Sequence, residues 1–126
     1  MNKGDVVYWP DFRFQDGAAS NKLLVVIGSK DQQTLVFRTT SQERRDRPDD
    51  HGCHADESEF RFKAPCIPFD KPTWVQYEQP YVLEDGDAEG TGAVVVCKLT
   101  EEQIRAVINC FKKSPEHVSW LTEFCG

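Results

Sequence analysis

The sequence predicts a mainly β chain that ends in helices: six or seven short strands, then one or two C-terminal helices, in the manner of a small barrel with helices packed at one end. Three observations predict it. Short runs of β-branched and aromatic residues recur at strand length, at 6–9, 23–27, 34–40 and 93–99. Turn signals such as Gln15-Asp16-Gly17 and Lys30-Asp31-Gln32-Gln33 separate them. Helical spacing of apolar residues appears only after Leu99. The 126 residues make a single domain, 1–126, long enough to bury a core without staples.

The elements follow in order. Val6, Val7, Tyr8 and Trp9 form a first strand, stopped by Pro10, and 11–21 reads as a loop. Residues 23–27 are continuously apolar and bounded by Gly28; with 34–40 they make a hairpin. Residues 43–59 show no periodicity and are expected to be a long functional or mobile loop. Short strands follow at 60–62, 73–77 and 81–83, then an acidic, glycine-rich tip at 85–92. Residues 93–99 read as a buried strand, with Val94, Val95, Val96, Cys97, Cys110 and Trp74 in the core. Thr100 and Gln103 form a capping box for a helix over 100–113, whose apolar face is Ile104, Val107, Ile108 and Phe111. Ser114-Pro115 starts a second, short helix over 115–124.

Composition narrows the function classes. The formal net charge is −6, so a polyanionic partner would need a local basic patch rather than bulk attraction. No apolar stretch is long enough to span a membrane, and the N-terminal residues run straight into a strand, so no signal peptide is expected. Five cysteines without a secretory signal predict reduced thiols in a cytoplasmic protein.

The opening Lys3-Gly4-Asp5-Val6-Val7-Tyr8-Trp9 is followed by Phe12-Arg13-Phe14-Gln15-Asp16-Gly17. Lys22-Leu23-Leu24-Val25-Val26-Ile27, Thr39-Thr40-Ser41-Gln42 and Thr73-Trp74-Val75 come after them in that order. This order of short motifs resembles the MazF/PemK family of toxin endoribonucleases, with the last three at the family's second strand, its third and a later one. The resemblance covers most of the chain apart from 43–59 and the tail after Lys113. It implies an SH3-like, PemK-like barrel, often a homodimer, that cleaves single-stranded RNA without a metal or other cofactor, with an antitoxin protein as partner. One departure stands out: the family's catalytic arginine precedes its second strand, and this chain has Lys22 there. Lysine supplies charge to a phosphate but not the two-point contact of guanidinium. A barrel that has lost catalysis and binds protein or nucleic acid is the alternative.

Metal-free RNA cleavage needs a base for the 2′-hydroxyl, an acid for the leaving 5′ oxygen and a cation for the phosphate. Lys22, Thr40, Ser41 and His54 are the expected catalytic residues, with Thr40 at the family's catalytic threonine position. Arg13, Gln15, Arg44, Arg45, Arg47 and His51 are the expected substrate contacts. His51 and His54 sit in the arginine-bearing loop, where an imidazole suits proton transfer. His51, Cys53, His54 and Cys66 also have zinc-ligand chemistry, although no Cys-x-x-Cys pair accompanies them. Tyr8, Trp9, Phe12 and Phe14 are either core or a base-stacking platform.

Overall fold

A computed structural model describes residues 1–14, 17–41, 51–63, 69 and 71–125. Among them are eight strands: β1 (Asp5–Arg13), β2 (Ala19–Lys30), β3 (Gln33–Thr40), β4 (Gly52–His54), β5 (Glu59–Phe62), β6 (Thr73–Gln76), β7 (Tyr81–Glu84) and β8 (Val94–Lys98). Two helices follow, α1 (Glu101–Lys113) and α2 (Thr122–Cys125), with 3₁₀ turns at Ala55–Glu57 and Ser119–Leu121. The strands form one open antiparallel sheet in the order β4-β5-β6-β3-β2-β1-β8, with β7 also paired to β3. The chain is thus mainly β with its helices last, as its residue pattern predicts. The strand count is eight because part of the 43–59 stretch, Gly52–His54, pairs with β5.

The unbroken apolar run in β2 reflects burial on both faces. Val25 and Ile27 join a large cluster with Leu35, Phe37, Tyr77 and the α1 residues Val107 and Phe111. Leu24 and Val26 point the other way, into a smaller cluster with Val7, Trp9, Phe12 and Val36. The capping box of α1 is present: Thr100 Oγ1 accepts from Gln103 N at 3.1 Å and Gln103 Oε1 from Thr100 N at 2.9 Å. Beneath α1, the buried Tyr77 hydroxyl donates to Val107 O at 2.8 Å, and burial pushes that phenol's pKa far above its usual value.

Four expectations are corrected. First, β1 does not stop at Pro10 but runs to Arg13, and β2 starts at Ala19. The ladder shifts register between Trp9 and Phe12, so Pro10 lies in an irregularity where no ladder donor is needed. Second, Val94, Val95 and Val96 are 53%, 52% and 51% exposed rather than core, because among the described residues β8 pairs only with β1 and forms an edge of the sheet. Third, the helix expected over 115–124 shrinks to a 3₁₀ turn and the single turn of α2. Chain reversal takes the intervening residues, with His117 N donating to Ser114 O and Leu121 N to Val118 O.

Fourth, Cys53 and Cys110 form a disulfide instead of remaining reduced. β4 packs on α1 and brings the two Cα atoms to 5.4 Å, within bridging range. Cys110 is core, as expected, but it is also one end of a cross-link 57 residues apart in sequence. A loop of that size lowers the entropy of the unfolded chain by about 4 kcal/mol at room temperature. Replacing both cysteines with alanine is therefore expected to cost about 2–4 kcal/mol in urea unfolding of the oxidised protein. An unchanged midpoint would show that the bridge contributes nothing. Among the described residues no helix is long and apolar enough to cross a membrane.

Candidate functional site

A fork in the sheet creates the site. The β2–β3 ladder ends at the pair Leu24–Arg38. Beyond it β2 stays with β1, through Leu23–Tyr8 and Lys22–Trp9, while β3 turns to β6, through Thr39–Val75 and Thr40–Trp74. The two strands part, and Thr39 Oγ1 ties the base of the fork by donating to Leu23 O at 2.8 Å. Between the prongs lies a cavity of about 380 Å³, lined by Tyr8, Ser20, Asn21, Lys22 and Leu23 on one lip and Thr39, Thr40, Ser41 and Thr73 on the other.

Among the described residues the lining is rich in hydroxyls and contains no carboxylate. Lys22 is the one cation among them, since Arg38 lies outside the lining, and its ammonium pKa is lowered by burial and, second, by the Arg38 guanidinium. Phe14 gathers both cations: Lys22 Nζ and Arg38 Cζ each lie 5.8 Å from its ring centroid. Arg38 Nε and Tyr81 Oη are buried without a hydrogen-bond partner. Phe12 holds Phe14 and Tyr81 edge-on, at centroid distances of 5.7 and 4.9 Å. Phe12 is therefore a packing residue that holds Phe14, the ring on which the cations rest. A lysine proton made more acidic, beside a fixed guanidinium and several hydroxyls, suits an anion with several oxygens.

The structure thus brings together Lys22, Thr40 and Ser41, three of the expected catalytic residues. It does not bring in the others. Arg13 is exposed at the far end of β1, opposite Ala19. His51 and His54 lie on the β4 side of the sheet and do not line the cavity. The His51 ring packs edge-on against Phe60 and Phe62, and its Nδ1 accepts from Lys63 N at 3.2 Å. His54 pairs in register with Glu59. Gln15, Arg44, Arg45, Arg47 and Cys66 lie outside the described residues. No group of three potential metal ligands occurs among the described residues, and Cys53 is consumed by its disulfide, so the zinc grouping of His51, Cys53 and His54 does not form.

Arg38 is the residue that the linear sequence did not point to. It lies in an ordinary strand pattern, Phe37-Arg38-Thr39, and only the ladder sets it opposite Leu24, two residues along β2 from Lys22. A signal was available: Arg38 is two residues before Thr40 and so shares its strand face. Arg61, buried and stacked 4.2 Å over the Trp74 ring, is a second unforeseen cation, but it does not line the cavity. No family model matches the sequence, and no curated protein matches it.

Proposed function

We propose that the fork between β2 and β3 binds a phosphodiester of single-stranded RNA and cleaves it without a metal, in the manner of the MazF/PemK toxins. The observation that carries this reading is Lys22 in a hydroxyl-lined cavity with no carboxylate among its described lining residues, with Arg38, outside that lining, sharing the Phe14 ring with it, in a chain of net charge −6. Arg38 supplies the guanidinium that Lys22 lacks. The order of elements and the split of β3 between two partners agree with an SH3-like barrel.

In this reading the 2′-hydroxyl attacks phosphorus, its proton passes to solvent, and the bond to the 5′ oxygen breaks. Lys22 gives its proton to that leaving oxygen, Arg38 offsets the charge on phosphorus, and Thr40 and Ser41 hydrogen-bond the phosphate oxygens. The products are a 2′,3′-cyclic phosphate and a 5′-hydroxyl. Incubating the protein with single-stranded RNA in EDTA tests this; the expected result is short fragments with those ends. Intact RNA across varied sequences would overturn it.

A second reading has its own observation: among the described residues the cavity lining contains no histidine and no carboxylate to act as base. A non-catalytic module would retain RNA or protein binding and leave RNA intact in the same assay. Toxicity on induced expression, relieved by an antitoxin, would speak for the first reading.

A homodimer belongs to the first reading and is supported by β8. Its free edge and half-exposed Val94, Val95 and Val96 offer a strand to a second copy. Light scattering is expected to give a dimer mass for the wild type and a monomer mass for Val95→Lys. A monomeric wild type at tens of micromolar would rule the dimer out.

A further inference from the structure

A larger cavity, of about 520 Å³, lies between α1, the end of β8 and α2, and shares no lining residue with the fork. We propose that it binds a small amphipathic anion, a phosphate or carboxylate head on an aliphatic body. The size falls in the range of small-molecule sites. Its charge runs against that of the whole molecule: Lys3, Lys98, Arg105 and Lys112 line it, against Glu101 alone.

Lys3 is held in place, and the other three cations, Lys98, Arg105 and Lys112, form no salt bridge among the described residues. Lys3 Nζ donates to Cys125 O at 2.7 Å, which anchors one ammonium at the α2 wall. Lys112 and Lys3 both act on the buried Cys125 thiol, pulling down a pKa that burial raises, so the two face the same spot. Arg105 and Lys112 lie seven residues apart on α1, two turns along one side. Cations crowded this way repel one another, and an anion between them relieves that repulsion.

The rest of the lining sets the body of the ligand. Leu99, Ile104 and Ile108 are aliphatic, so they favour an alkyl chain over a hydrated ion. Among the described residues no aromatic side chain lines the cavity, so a nucleobase would find no surface there to stack on. An inorganic ion alone would leave the apolar floor uncovered.

Calorimetric titration of the full chain with octyl phosphate, octanoate, inorganic phosphate and octanol tests the proposal. One of the first two is expected to bind at least ten-fold tighter than both inorganic phosphate and octanol, and the tighter of the pair identifies the head. Arg105→Ala combined with Lys112→Ala, both at exposed helix positions, is expected to weaken that binding at least ten-fold while circular dichroism stays unchanged. Lys22→Ala is expected to leave it intact. The proposal falls if no amphipathic anion binds at millimolar concentration, or if the double variant binds as the wild type does. It also falls if Lys22→Ala removes binding, since the anion would then occupy the fork.

Discussion

Lys22→Ala is expected to lower kcat/KM for RNA cleavage by a factor of about 100 or more, the usual scale for loss of a proton donor to a leaving group. Arg38→Ala is expected to lower it about 10- to 100-fold, because a fixed cation at the phosphate is lost. The two losses differ in their pH signature. Burial, then Arg38, lowers the Lys22 pKa, so the active protonated form is lost at a lower pH than for an ordinary lysine. Cleavage should rise with pH as the 2′-hydroxyl becomes easier to deprotonate, then fall as pH passes the Lys22 pKa. Removing Arg38 takes away a like charge, so the falling limb should move to higher pH. Lys22→Arg keeps a cation that stays protonated, so the falling limb should leave the accessible range. A pH–rate profile on each variant checks this set. An alkaline limb unmoved in Arg38→Ala would show that the two cations are not coupled.

Gly28→Ala is expected to be strongly destabilising, at about 3 kcal/mol. A Cβ at Gly28 would lie 1.7 Å from Phe124 O and 2.8 Å from Phe124 C. Those are backbone atoms of α2, so no side-chain rotation clears them. The methyl must push α2 off β2, and α2 carries Phe124 and Cys125 into the large core cluster. Urea unfolding should show the loss. The same substitution in a chain ending at Leu121 should cost much less, because the clashing backbone is gone. Equal costs in both backgrounds would place the damage elsewhere than at α2.

The parts of the fold that were legible in the residues are those set by local chemistry. The capping box at Thr100 and Gln103 needs only neighbours three residues apart, and the helix appears at Glu101–Lys113. The strands at 34–40 and 73–77 follow from β-branched and aromatic content, and they pair as β3 and β6. The run at 23–27 was readable as a strand, but burial alternates between two clusters that no local pattern distinguishes. The 115–124 helix failed because a Ser-Pro start does not say whether the next turn continues. What replaced it was a pair of reversals ending in one α2 turn.

For the site, the sequence by itself singled out Lys22, Thr40 and Ser41 as residue types able to contact a phosphate, with Lys22 expected before a strand that in the structure already begins at Ala19. Tertiary structure alone decided that these residues face one cavity, because β3 leaves β2 after Arg38 to pair with β6. It alone brought Arg38 beside Lys22, kept His51 and His54 away, and joined Cys53 to Cys110 across 57 residues. The same division holds for Val94, Val95 and Val96, whose apolar character reads as core until the ladder shows β8 at an edge. The physical reason is common to all of these. Caps, turns and periodicity are interactions between near neighbours, whereas an edge, a fork or a cross-link exists only between segments far apart in the chain.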